Sequence, residues 1–159
     1  MRRFQFSCGE PIFFDNHQCL NCGARVGFDP ESMSMVALEG RWDLAYCDNH
    51  DHGVCNWLRP PASAESLCRA CHFNRTIPNL ALPHNTERWA ALERAKKRLL
   101  YSLYRLELPM TDGWQDPGQG LLFDFLDDAR TQPETYPDTF ITSGFAGGVI
   151  TINVLEADD

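Results

Sequence analysis

Positive charge is scarce in this chain. Its 159 residues carry 14 Lys and Arg against 22 Asp and Glu, a formal net charge of -8, and the pI is near 5.0. Phosphate backbones and anionic membrane surfaces are held by clustered cations, so the deficit argues against charge-driven binding to either. It extends through both halves: residues 1–78 hold seven Lys and Arg with nine Asp and Glu, and residues 79–159 hold seven and thirteen. Long apolar runs are missing too. None approaches the roughly 20 residues that cross a bilayer as a helix, which excludes a membrane span within the sequence. Met1-Arg2-Arg3 runs into Phe4-Gln5-Phe6-Ser7 without the apolar stretch of a secretory signal, and the expected location is cytoplasmic. There is no internal repeat and no low-complexity tract. Ser143-Gly144 has no Gly-x-Ser-x-Gly context, and none of His17, His50, His52, His72 and His84 begins a His-Glu-x-x-His pair. No catalytic residue is assigned.

What the chain does hold is 43% apolar and 11% aromatic residues, a globular composition, and seven cysteines at 8, 19, 22, 47, 55, 68 and 71. Cysteine is absent after residue 71. In a reducing compartment clustered thiols point to metal before disulfides, and an odd number prevents full pairing. The lesser readings are buried free thiols and a redox pair, which no βαβ pattern supports. The cysteine distribution divides the chain into residues 1–78 and 79–159. The first part is short strand pieces around Ile12-Phe13-Phe14, Val26-Gly27-Phe28 and Met35-Val36-Ala37-Leu38, punctuated by glycines and by Pro60-Pro61. So small a loop-rich module needs a staple, and metal-bound cysteines supply one.

Cys19-Leu20-Asn21-Cys22-Gly23 has the spacing of a zinc knuckle, with two thiolates reaching one metal and a glycine permitting the turn; Cys68-Arg69-Ala70-Cys71 repeats the pair. One partition gives Cys47, Cys55, Cys68 and Cys71 a complete four-thiolate site and leaves Cys8, Cys19 and Cys22 with three ligands of a second. His17, His50 and His52 are the candidates for its fourth ligand, each also readable as a surface histidine. The other partition is one shared site of Cys19, Cys22, Cys68 and Cys71. Tetrathiolate zinc has no open position, so a ribbon of this kind is expected to be structural.

Residues 78–85, Pro78 to Asn85, read as a connector with Asn85 able to cap a helix. The helix is expected from Thr86 to about Leu106, with Trp89, Leu92, Leu99, Leu103 and Leu106 on its apolar face and Arg88, Glu93, Lys97, Arg98 and Arg105 opposite. Residues 109–120 read as a loop, residues 121–126 as a strand with helix as the alternative, and residues 128–139 as a second loop. Val149–Val154 is β-branched except for Asn153 and reads as a strand, either an exposed edge prone to self-association or an interior strand. Glu156-Ala157-Asp158-Asp159 resembles an acidic first helical turn, from which the natural protein is expected to continue. Asp124, Asp127 and Asp128 read as solvated carboxylates. Trp42, Trp57, Trp89 and Trp114 are expected in core or interface. The fold class is α+β.

Several ordered runs carry a family resemblance. Phe13-Phe14-Asp15-Asn16 before Cys19-Leu20-Asn21-Cys22-Gly23, then Gly53-Val54-Cys55-Asn56-Trp57-Leu58, then Leu67-Cys68-Arg69-Ala70-Cys71 with Asn74-Arg75-Thr76-Ile77-Pro78 resemble the N-terminal zinc ribbon of a bacterial family of zinc-binding metallopeptidases. Phe123-Asp124-Phe125-Leu126 and residues 148–159 resemble the opening of its peptidase domain. The resemblance implies zinc as cofactor, the leading strands of a zincin-like domain after the ribbon, and a protein or peptide substrate for the longer protein. The family has a further cysteine just before the position of Cys8, where this chain has none, and its His-Glu-x-x-His helix belongs after the strand ending near Val154. The rival expectation is a non-catalytic ribbon that binds protein or nucleic acid.

Overall fold

The computed structural model describes residues 3–62, 65–130 and 137–158 and divides into two compact units, Met1–Cys71 and His72–Asp159. The first unit is three antiparallel two-stranded ribbons: β1 (Phe4–Gln5) with β2 (Pro11–Ile12), β3 (Val26–Asp29) with β4 (Ser34–Ala37), and β5 (Ala45–Tyr46) with β6 (Leu58–Arg59). Isolated ribbons of this length are marginal in water, so their stability comes from what they share. Phe14, Phe28 and Trp57 are buried against one another, with ring centroids 4.9 Å apart for Phe14 and Phe28 and 4.7 Å for Phe28 and Trp57. Asn56, fully buried, donates to the carbonyls of Phe14 (2.7 Å) and Asn16 (3.1 Å) and so ties the segment before the first knuckle to β6. Gly27 is required by packing, since a Cβ there would lie 2.5 Å from the Leu58 side chain.

The second unit is built on a four-stranded sheet of order β11-β12-β8-β7. β7 (Asn74–Thr76), β8 (Leu122–Leu126) and β12 (Val149–Asn153) run parallel, and β11 (Gly144–Ala146) closes one edge antiparallel to β12. Between β7 and β8 lies the one α-helix among the described residues, α1 (Asn85–Arg105), which makes β7-α1-β8 a βαβ unit that the polar run Asn74-Arg75-Thr76 does not announce. Residues 121–126 are thus strand rather than helix. β9 (Ala129–Arg130) and β10 (Pro137–Thr139) form a short ribbon where a loop is expected, and residues 131–136, with Pro133, lie outside the described residues.

The helix is present but its buried face differs from the expected one. Asn85, Trp89, Glu93, Lys96, Lys97, Leu100 and Tyr101 are buried, whereas Leu99 and Leu106 are exposed. The reason is a polar core under α1. The Glu93 carboxylate accepts from Lys96 Nζ (2.9 Å) and from Asn74 of β7, and Lys96 Nζ lies 5.5 and 5.7 Å from the ring centres of Phe123 and Phe125 on β8. Asn85 begins the helix instead of capping it: the N-cap position is His84, at φ +65°, and the Asn85 amide donates to the Asn79 carbonyl and to Asp127, both at 3.0 Å.

The three acidic residues in and just after β8 are braces rather than solvated charges. Asp124 and Asp128 are buried; Asp124 pairs with Arg75, Asp128 accepts from the Ile141 amide (2.8 Å) and Asn153 Nδ2 (3.1 Å), and Asp127 accepts from the Asn79 amide (3.0 Å). β12 is interior, paired with β11 and β8, and Val154 belongs to the 3-10 turn Val154–Asp158 that follows. The exposed-edge reading of Val149–Val154, on which self-association rested, is therefore replaced: the outer edge next to it is β11, whose residues are exposed. Trp57 and Trp89 are core, while Trp42 and Trp114 are largely exposed.

Arg75 sets an acid-stability prediction. Its hydrogen bonds hold the Asp124 carboxyl below the ordinary carboxylate range, against the upward push of burial. A depressed folded-state pKa contributes stability above the unfolded value of about 4 and loses it as pH falls through the lower folded value. Arg75 is half exposed, so solvent screening limits the contribution to about 1 kcal/mol. Arg75→Ala is expected to lose it at neutral pH and to move the acid-unfolding midpoint of the second unit upward. An unchanged acid-unfolding curve would sink this assignment.

Candidate metal centres

Cys47, Cys55, Cys68 and Cys71 converge in the first unit with all four sulfurs within 4.8 Å of one another and all four residues buried. Cys47 follows β5, Cys55 precedes β6, and Cys68 and Cys71 form the knuckle; the Cys47 amide bonded to the Trp57 carbonyl (3.1 Å) keeps the first two in register. Cys55 and Cys68 Sγ are 3.7 Å apart. Zinc–sulfur bonds of about 2.3 Å put tetrahedral sulfurs roughly 3.8 Å apart, so the spacing fits a zinc ion. Backbone amides of Trp57, Cys68 and Cys71 donate to the sulfurs of Cys55 (3.4 Å), Cys47 (3.3 Å) and Cys68 (3.5 Å), the pattern that stabilises bound thiolates. Hydrogen bonds from the other three thiols drive the Cys47 pKa far down, while burial drives Cys55 and Cys68 far up. The tetrad is suited to zinc, with an affinity that falls as pH falls.

Cys8, Cys19 and Cys22 form a second group, also with sulfurs within 4.8 Å of one another, and Cys8 and Cys19 Sγ are 3.6 Å apart. The knuckle is shaped by the Cys19 amide bonded to the Ala24 carbonyl (2.8 Å) and by Gly23 at φ +73°. Cys8 is delivered by the β1–β2 connection. Cys19 is buried and the other two are exposed. A main-chain hydrogen bond at Glu10 holds the Cys8 thiol below its ordinary value; at Cys22 a main-chain hydrogen bond at Ala24 is outweighed by burial and the neighbouring thiols, which raise it. The two Cys-x-x-Cys pairs therefore lie in separate groups, not in one shared site.

The histidines join neither group among the described residues. His50 is held by the Cys55 carbonyl (2.9 Å from Nδ1) and by stacking on Tyr46 (3.7 Å between centroids), and the His17 ring lies 5.3 Å from it. His72, in the second unit, pairs with Asp112 at 2.8 Å, while Trp114 Nε1 donates to the His72 carbonyl. Nothing in the sequence near His72 or Asp112 signals that pairing, because the partners are forty residues apart. A cleft of about 640 Å³ in the second unit is bordered by Arg75, Leu122, Phe145 and Thr151, and one of about 420 Å³ in the first is bordered by Arg25, Arg41, Tyr46, His50 and the tetrad's Cys47.

Paired ribbons carrying two knuckles and a buried four-thiol group define a zinc ribbon. The chain belongs to the zinc-ribbon domain family, whose model matches residues 3–82, and residues 85–159 match the family described as "Putative zinc-binding metallo-peptidase". Among similar proteins are uncharacterized proteins of Mycobacterium bovis and of Mycobacterium tuberculosis, each 33% identical over 153 residues. The match takes in 96% of this chain and 42% of each relative, so the chain spans less than half the length of these relatives. No solved structure matches the chain. No helix among the described residues is long and apolar enough to cross a membrane.

Proposed function

We propose that this chain is the zinc-stapled N-terminal portion of a zinc-dependent peptidase, in which the ribbon is structural and peptide-bond hydrolysis belongs to the longer protein. The observation that carries the zinc assignment is the buried tetrad of Cys47, Cys55, Cys68 and Cys71; a closed thiolate site leaves no position for substrate or water. The second unit is the opening of the peptidase domain. Its β11 edge has no strand paired outside it among the described residues, and the cleft bordered by Phe145 and Thr151 adjoins it. An extended peptide added along such an edge gains main-chain hydrogen bonds. The thiolate sites call for a reducing, cytoplasmic setting.

The 159 residues contain no His-Glu-x-x-His pair, so they lack the general base set beside a zinc-bound water that peptide hydrolysis needs. They are expected to leave casein intact, and a chain extended to include such a helix is expected to cleave it in a chelator-sensitive way. Chelator-sensitive cleavage by the 159 residues alone, absent from a mock preparation, contradicts this reading. A second reading, a ribbon that serves as a binding module, is favoured by the stack of Arg25 over Tyr46 (5.0 Å) and Tyr46 on His50 beside the smaller cleft. The net charge of -8 points that surface toward protein rather than nucleic acid.

A further inference from the structure

The two thiol groups of the first unit differ in ways that bear on exchange. Every member of the tetrad is buried, whereas Cys8 and Cys22 are exposed and Leu20, inside the knuckle, is 91% exposed. Four ligands meet in the first group and three in the second; among the described residues no His, Asp, Glu or further Cys brings a ligand atom to the triad. The triad is nonetheless organised. β1 and β2 are anchored by buried Phe4 and Ile12, Phe4 packing on Phe28 with centroids 6.4 Å apart. The loop between them is closed by the Phe6 amide on the Glu10 carbonyl (3.0 Å) and the Gly9 amide on the Phe6 carbonyl (2.9 Å), with Gly9 at φ +85°. On the other side, Gln18 Nε2 donates to the Gly23 carbonyl at 2.7 Å and braces the knuckle. Three thiols are thus held at metal-binding separation on a surface open to solvent.

We propose that Cys8, Cys19 and Cys22 hold a zinc ion whose fourth position is filled from outside the protein by a small soft donor, a thiolate in preference to water. The site is then an exchangeable zinc site beside a permanent one. Tetrahedral zinc with three protein ligands keeps one position for an external ligand, in contrast to a closed structural site. Three thiolates on a divalent ion leave a net charge of -1, so a further thiolate is accommodated as readily as in the tetrad, which carries four. Binding of a thiol here forms one zinc–sulfur bond, displaces one water and releases the thiol proton to solvent. The inference rests on the zinc-ribbon reading above and extends it from structure to zinc exchange.

The test uses the full chain loaded with zinc and then mixed with a chromophoric chelator. Two kinetic phases of one equivalent each are expected, the faster on the order of tenfold quicker than the slower, as befits an open against a closed site. The fast phase should vanish in Cys22→Ser while the slow one is unchanged. In the cobalt(II)-substituted chain, 2-mercaptoethanol should shift the visible bands of one equivalent, saturating at one thiol per chain, and the shift should be absent from Cys22→Ser. Release of both equivalents at one rate, a cobalt spectrum indifferent to thiol, or a single equivalent insensitive to Cys22→Ser would each overturn the proposal. The underlying ribbon reading fails separately, by absence of the slow equivalent in wild type and variant alike.

Discussion

Cys68→Ser is expected to release the zinc of the tetrad and to leave residues 3–71 without their native packing. Cys68 is fully buried, 3.7 Å from the Cys55 sulfur, and accepts from the Cys71 amide. Its removal opens a four-thiolate site to three, with a hydroxyl in place of a thiolate. Structural zinc couples on the order of 10 kcal/mol of binding free energy to folding in small modules, more than the whole stability of about 5–15 kcal/mol leaves to spare. The rest of the unit has little to fall back on: ribbons of two to four residues around one aromatic cluster. Trp57, buried in that cluster, reports the change, and its emission should shift to that of an exposed indole while zinc content drops by one. The helical circular dichroism of α1 should persist, because α1 is held within the second unit by Asn74, Asp127, Phe123 and Phe125. Retention of zinc and of the native Trp57 emission in Cys68→Ser contradicts the assignment.

The second large effect belongs to the polar core beneath α1. Lys96→Met is expected to destabilise the second unit by about 3–5 kcal/mol, the usual cost of stranding one member of a buried ion pair. Glu93 and Lys96 side chains are 0% and 1% exposed, so water cannot replace the lost partner. The paired substitution Glu93→Leu with Lys96→Met removes both charges and should recover most of the loss, since a packed apolar pair of similar size is often neutral or better. Urea unfolding followed by the helical signal distinguishes the cases. Equal destabilisation by the single and double variants would show that the site is sensitive to shape rather than to an unpaired charge.

That same core explains where sequence reasoning succeeds and fails. Helix formation around Trp89 is legible because residues 86–106 are rich in Ala, Leu, Arg, Lys and Glu and contain neither Gly nor Pro. The buried face is not, because Glu93 and Lys96 pair with each other and with Asn74 of β7, Lys97 is buried beside them in sequence, and a pattern that ranks residues by hydrophobicity turns all three outward. Leu99 and Leu106 then look like core and are surface. β7 escapes notice for a related reason: Asn74-Arg75-Thr76 has no apolar alternation and is a strand only through its pairing with β8. The grouping of Cys47 and Cys55 with Cys68 and Cys71 is legible, since the other three cysteines cannot fill a site alone. The alternative of one shared site could be dismissed only by the ribbons' placement of Cys19 and Cys68 in different groups. Asp124 and Asp128 read as surface charges because their partners, Arg75, Ile141 and Asn153, come from distant segments.

The central claim is that four buried thiolates hold one zinc ion independently of the exposed triad. Zinc-edge X-ray absorption on the Cys8→Ser, Cys22→Ser double variant tests it most directly, because the triad is disabled and the tetrad untouched. The account predicts one zinc per chain in a shell of four sulfurs at about 2.3 Å. A variant that binds no zinc, or a shell containing nitrogen or oxygen donors, would contradict it.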